Sequence, residues 1–293
     1  MKHFDDIKDN EIRIISGQRE SAKPFFRRWW FWLIVVFVVS LLIACILLLH
    51  KQRTFKEDIV TEQVSESVMM SPTVMQTESA MVIVCDTMIN DVDLQVYIPI
   101  NAVPELCLGI PDAEDSSIVL ALQAADIRAD NKKIVGAFVL KGEPLAWGLS
   151  KKGYCAIIDG KTQIGMAENS PLFEEATEKQ GYFFRQYPLV NKGVMVENKP
   201  KGKAMRRALC QLNGQVAVVS TIDRESLHDF AQALVDLGVY QAIYLTGGSA
   251  YGFCRCEDGS IDWLGEPLWK EDKRIPSSIN FIVWKKAETL PKD

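Results

Sequence analysis

Residues 240–249 read Tyr-Gln-Ala-Ile-Tyr-Leu-Thr-Gly-Gly-Ser, an apolar run that ends in paired glycines. Without Cβ atoms, Gly247 and Gly248 let the backbone approach a ligand and aim N–H groups at an anion. Thr246, Gly247, Gly248 and Ser249 thus form a candidate turn for phosphate or carboxylate, although paired glycines are also ordinary turn punctuation. Arg206 and Arg207 stand just before an apolar run that begins at Ala208. Adjacent residues entering a strand point to opposite faces, so at most one of these guanidinium groups reaches a given cleft, where it would grip a phosphate bidentately. The competing reading is a solvated pair beside Lys199, Lys201 and Lys203. Arg274, ahead of Ile275-Pro276-Ser277, poses the same choice.

Other reactive groups are sparse. His228 is the single histidine after residue 50, and it falls in the first turn of an amphipathic helical pattern, where a solvated ring is the ordinary outcome. With no second histidine to pair, a cysteine nucleophile has no base. Carboxylates remain as general acids and bases, with Glu143, Asp159, Asp223, Asp262 and Glu266 near turns or strand ends. Cys254 and Cys256 form a CxC rather than the paired CxxC of a zinc site. The six cysteines after residue 80 permit disulfides without specifying a pairing. No cofactor is expected, and a divalent cation stays open.

Strands must position these groups. Runs rich in β-branched residues occur at 81–85, 94–100, 134–140, 155–158, 209–211 with 216–220, 242–245 and 279–284. Asn213-Gly214 between two of them signals a two-residue hairpin. A helix is predicted from Ser226, with Asp229 completing a capping box and Gly238 supplying a left-handed stop. Two further helices are predicted, over 117–129 and around 173–179. Together these elements imply an α+β domain with a mixed β-sheet core and flanking helices.

That domain is preceded by a different kind of sequence. Residues 29–49 contain 21 residues without a charge, long enough as a helix to cross a hydrocarbon core of roughly 30 Å. Trp29, Trp30 and Trp32 suit a membrane interface, and Arg27-Arg28 directly before them favours a cytoplasmic N-terminus. The expected organisation is a cytoplasmic tail over 1–28, a single transmembrane helix over 29–49, a Glu/Gln/Ser/Thr/Met-rich stalk over 50–80, and a folded extracytoplasmic domain over 81–293. After residue 80 the chain carries 23 Lys and Arg against 28 Asp and Glu, the wrong balance for a nucleic-acid binder.

The order of the short motifs carries a resemblance. Gln186-Tyr187-Pro188-Leu189-Val190, Asn191-Lys192-Gly193, Arg206-Arg207-Ala208, the amphipathic helix, Leu245-Thr246-Gly247-Gly248-Ser249 and Arg274-Ile275-Pro276-Ser277 together resemble the phosphodiester glycosidase family. The resemblance implies hydrolysis of a sugar 1-phosphodiester. It makes Arg206 or Arg207 a phosphate or sugar ligand and Arg274 a second basic contact. Thr246, Gly247, Gly248 and Ser249 become the ligand-facing turn, with Gln186 also at the site. Two positions depart from the family pattern. Thr246 stands where the family usually has an aspartate, and Ile134-Val135-Gly136-Ala137-Phe138 stands where an Asn-Ala-Gly-Phe-like motif is expected. A threonine hydroxyl is neutral at any working pH and does not replace a carboxylate. The sequence therefore leaves two functions: a membrane-anchored extracytoplasmic hydrolase acting on envelope or surface glycans, or an inactive relative that binds a phosphorylated glycan or a protein partner.

Overall fold

In the computed structural model, residues 79–247, 250–268 and 275–287 are described here. They all lie in the part of the chain from Gln76 to Asp293. The expected tail, transmembrane helix and stalk fall outside the described residues, as do Gly248, Ser249 and Arg274. No helix among the described residues is long and apolar enough to cross a membrane.

The described chain folds into three antiparallel sheets and two short helices. The first sheet has seven strands: β1 (Met81–Ile89), β2 (Val92–Ile100), β13 (Gln215–Thr221), β12 (Arg207–Leu212), β14 (Val239–Tyr244), β10 (Pro188–Asn191) and β11 (Val194–Met195), neighbours in that order. The second runs β16 (Ile261–Leu264), β15 (Gly252–Arg255), β4 (Ile118–Gln123), β17 (Asn280–Lys286), β3 (Ala102–Leu108). The third runs β6 (Glu143–Trp147), β5 (Ala137–Leu140), β9 (Tyr182–Gln186), β7 (Gly153–Ile158), β8 (Lys161–Met166). The helices are α1 (Leu172–Glu178) and α2 (Leu227–Asp236).

Alternation along the strands distributes the core. Leu209, Val218, Ile243, Leu120, Leu122, Ile282, Phe138 and Phe184 pack in one cluster shared by all three sheets. The opposite face of the first sheet supplies Ala208, Cys210, Ala217, Val219 and Ala242, which meet Leu227, Phe230, Ala231 and Leu234 of α2. Burying one such Leu or Phe contributes roughly 1.5–3 kcal/mol, enough for a ten-residue helix to hold its place only by packing. Asp229 donates its backbone N–H to the Ser226 hydroxyl at 3.0 Å, and Gly238 turns out at φ +91°, so the predicted start and stop both hold. Asn213 (φ 50°) and Gly214 (φ 78°) form the predicted hairpin turn between β12 and β13.

Two sequence expectations are corrected. Residues 117–129 do not form a helix: Ile118–Gln123 is strand β4, paired with β15 and β17. Its first five residues are all buried, so the apolar run lacks the alternation that marks a one-sided strand. The sheet core is also not mixed, since every strand pairing among the described residues is antiparallel. The fold is α+β with strands dominating and only two helices among the described residues. The six described cysteines are free thiols, three of them buried.

Candidate active site

The site gathers where β4, β9 and β14 end. Beyond β4 the chain runs Ala124-Ala125-Asp126, and Asn280 at the start of β17 fixes it. The fully buried Asn280 amide accepts from the Ala125 N–H at 2.7 Å and donates to the Ala125 carbonyl at 3.2 Å, while the Asn280 carbonyl accepts from the Ala124 N–H at 3.1 Å. One side chain thus satisfies both backbone groups of a buried residue and sets the direction in which Asp126 leaves the strand.

Three donors converge on Asp126. Gln186, buried at the end of β9, donates to Oδ1 at 2.8 Å, and the Thr246 hydroxyl approaches the same oxygen at 3.0 Å. The Lys151 ammonium pairs with Oδ2. It also donates to Gln186 Oε1 at 2.8 Å and lies 4.4 Å from the centre of the Tyr187 ring, a cation–π arrangement. Burial pushes the Lys151 ammonium below its ordinary range, and the Asp126 carboxylate opposes that shift. Thr246 is tied in by its backbone as well, donating its N–H to the Ala124 carbonyl at 3.2 Å; its hydroxyl lies 3.1 Å from that carbonyl and shares one proton between it and Asp126. Asp126 keeps about a third of its side chain exposed while Lys151 shows 6%. The carboxylate is therefore the accessible partner.

Beside this network lies an open cleft of about 520 Å³, lined by Thr246, Gly247, Tyr251, Glu266 and Pro276 among others. Gly247 is there for space. A Cβ at this position would come within 2.6 Å of the Tyr244 hydroxyl and 3.0 Å of the Met205 carbonyl.

The two arginines separate as strand alternation requires. Arg206 turns to the α2 side, where Nε donates to the Glu225 carbonyl at 2.9 Å and a terminal nitrogen donates to the Gly202 carbonyl at 2.6 Å. Those bonds hold the loop before β12, and Arg206 is not among the residues that line the Thr246 cleft. Arg207 lies on the inner face with Leu209, 5% exposed, and reaches the Ala250 carbonyl only at 3.4 Å; its buried Nε has no partner among the described residues. Burial lowers its tendency to hold a proton, opposed by Tyr97 and Tyr244. A buried guanidinium with no carboxylate partner among the described residues, reaching toward Ala250 at the edge of the cleft, is a cation suited to an anion.

Of the residues singled out from sequence, the structure thus brings Gln186, Thr246, Gly247 and Arg207 to one region, while the Arg206 side chain bonds the Gly202 and Glu225 carbonyls. Of the five carboxylates, only Glu266 lines the cleft; Glu143, Asp159, Asp223 and Asp262 are exposed elsewhere. The stretch 134–138 contributes only a backbone contact, the Val135 N–H donating to the Asp126 carbonyl at 2.8 Å. His228 is an exposed residue bonded to Glu197 at 2.9 Å. Sequence reasoning missed Asp126, Lys151 and Asn280. Reading 118–123 as a strand would have exposed Asp126 as a carboxylate at a strand end, the placement that drew attention to Thr246.

The chain belongs to the phosphodiester glycosidase family, whose model matches residues 117–281, from just before β4 into β17. Among solved structures it is similar to a hypothetical protein from Synechocystis, with 15% identity and a TM-score of 0.50 over 72% of this chain and 63% of that one. It is also similar to the zebrafish N-acetylglucosamine-1-phosphodiester alpha-N-acetylglucosaminidase catalytic domain auto-inhibited by its pro-peptide, with 15% identity and a TM-score of 0.49 over 71% of this chain and 82% of that one. No curated protein matches the sequence.

Proposed function

We propose that this protein hydrolyses sugar 1-phosphodiesters, breaking the bond between the anomeric carbon and the phosphate oxygen. The observation that carries the reading is the Asp126 carboxylate, held by Lys151, Gln186 and Thr246 and still partly open to solvent, with Thr246 shared between this network and the cleft. The leaving group is a phosphate monoester, whose conjugate acid has a pKa of about 6, so it departs without a strong general acid. The demands that remain are a base for water and positive charge for the phosphate. In this reading Asp126 takes a proton from a water whose oxygen bonds to the anomeric carbon. The electrons of the breaking C–O bond leave on the phosphate, through an oxocarbenium-like state. Lys151 and the buried Arg207 supply positive charge, and Glu266 borders the cleft from the loop after β16.

Residues 29–49 anchor the chain in a membrane, with residues 1–28 cytoplasmic and residues 50–80 as a stalk. The catalytic domain, 81–293, then works outside the cytoplasm on envelope or surface glycans. This placement rests on the uncharged run and the arginines before it.

The test is release of free sugar from a panel of sugar 1-phosphodiesters by the detergent-solubilised full chain. Release that falls about 10²-fold to 10⁴-fold in Asp126→Asn is expected. Absence of release from every member of the panel by a folded protein overturns the hydrolase. A second reading, an inactive relative that binds a phosphorylated glycan, is favoured by the neutral hydroxyl of Thr246 at the strand end. Binding of the same phosphodiesters without turnover, together with turnover gained in Thr246→Asp, would establish it.

A further inference from the structure

A second groove lies across the segment 275–279 from the Thr246 cleft, and three observations relate it to the Asp126–Lys151 pair. First, the hairpin that starts at Asp126 closes on it: Ile127 bridges Ile134, the Arg128 N–H donates to the Lys133 carbonyl at 2.9 Å, and the Val135 N–H returns to the Asp126 carbonyl. Its tip carries Lys132 and Lys133. Second, the segment leading back from Lys151 reaches Trp147 at the end of β6, the edge strand of the third sheet. Third, the segment 275–279 is a common wall. Pro276 and Ile279 face the Thr246 cleft, while Ser277 and Ser278 face a neighbouring groove of about 650 Å³ that Lys132, Lys133 and Trp147 also line.

The groove has two chemistries side by side. Trp147 is 67% exposed, far more than an indole needs for packing. Its backbone is nonetheless fixed, because Gly148 and Gly136 meet so closely that a Cβ on Gly148 would lie 3.2 Å from the Gly136 Cα. Among the described residues, the Lys132 and Lys133 ammonium groups have no acidic partner, whereas Arg128 in the same hairpin is neutralised by Asp130 at 3.0 Å. Two cations without an acidic partner among the described residues, beside an exposed ring, stand out on a domain with more acids than bases.

We propose that this groove is a subsite for the continuing chain of a polymeric substrate, an oligosaccharide of sugar 1-phosphate repeats. A sugar ring stacks on Trp147 and the neighbouring phosphates sit on Lys132 and Lys133. The proposal rests on the phosphodiester glycosidase reading for the chemistry of the repeat. It adds that the enzyme prefers a chain to a single phosphodiester, because each repeat presents the ring and the anion that the groove offers together.

The test uses the full chain, Trp147→Ala and the double variant Lys132→Glu/Lys133→Glu. The substrates are the methyl phosphodiester of N-acetylglucosamine 1-phosphate and a short oligomer of N-acetylglucosamine 1-phosphate units. We expect kcat/KM on the oligomer to fall about tenfold in either variant, through KM, with the monomer unchanged. Raising salt from about 50 to about 300 mM should weaken the oligomer's KM for the native chain and not for the lysine variant. Equal loss on both substrates, or no loss on the oligomer, overturns the subsite. Calorimetric binding of the oligomer separates this proposal from the hydrolase. Binding that weakens in the variants while no substrate releases sugar keeps the groove and removes the activity. No binding by the folded native chain removes the groove, as does equally tight binding of a polyglutamate of matched charge.

Discussion

Replacing Asn280 by alanine tests how the fold positions Asp126. The buried amide makes two bonds to Ala125, at 2.7 Å to its N–H and 3.2 Å to its carbonyl, and a third at 3.2 Å to the Ser278 carbonyl. Alanine leaves the Ala125 N–H and carbonyl buried without partners, and water cannot enter an apolar core to replace the amide. Each such group costs about 1–3 kcal/mol, so a loss of about 2–6 kcal/mol is expected. For a domain of this length, 1 kcal/mol moves the midpoint of thermal unfolding by roughly 2–4 °C, which puts the expected drop at roughly 4–24 °C. Asn280→Asp should recover part of it, since a carboxylate oxygen still accepts from the Ala125 N–H but offers no donor to its carbonyl. Calorimetry of the three proteins reads the stability, and sugar release at a temperature where all are folded reads the site. Turnover should fall in the alanine variant beyond what unfolding explains, because Ala124 and Asp126 lose their fixed path. A midpoint within about 1 °C of native, well under the cost of one unsatisfied group, would refute the reasoning.

Arg207→Met should leave the fold as stable or more so, since it removes a buried cation with an unpartnered Nε, yet abolish turnover; loss of both together would make Arg207 structural. Arg206→Ala should cost about 1–3 kcal/mol in denaturant unfolding with KM unchanged, because its bonds go to the Gly202 and Glu225 carbonyls. Gly247→Ala should impair both stability and activity, and adding Tyr244→Phe should restore part of each by removing the oxygen 2.6 Å from the new Cβ; no rescue would place the clash on the Met205 carbonyl instead. Asp126→Asn leaves Lys151 buried without its counter-charge, and Asp126→Asn with Lys151→Met should regain most of the lost stability in a double-mutant cycle. Between the depressed native value of Lys151 and its ordinary 10.5 the unfolded chain holds more protons, so this group makes stability rise with pH. Lys151→Met should flatten that rise in the pH range below the ordinary lysine value of 10.5, measured by urea unfolding.

The elements legible in the sequence were those whose signals are local. Asn213-Gly214 demanded positive φ at both positions and received it, and Ser226 with Gly238 marked both ends of α2. Strand β4 was not legible, because Ser117 resembles a helix cap, Ala121, Leu122, Gln123 and Ala124 are good helix formers, and burial on both faces erases the period of two. The site divides in the same way. Thr246 and Gly247 end an apolar run and could be picked out there, whereas Gln186 entered through the family resemblance. Asp126 and Lys151 could not be picked out, since Asp126 follows the strand whose period burial erases, and the pairing of the two across 25 positions shows only in the fold. Strand alternation announced that Arg206 and Arg207 would part company, but which one entered the core depended on the register of β12 against β13 and β14.

Cleavage at the anomeric carbon and cleavage at phosphorus leave different products. Hydrolysis in ¹⁸O-labelled water with mass analysis of both products separates them. Attack at the anomeric carbon puts the label on the anomeric oxygen of the released sugar and none in the phosphate monoester, and Asp126→Asn should lower the labelled sugar about 10²-fold to 10⁴-fold. Label appearing in the phosphate would mean attack at phosphorus and would contradict the proposed reaction.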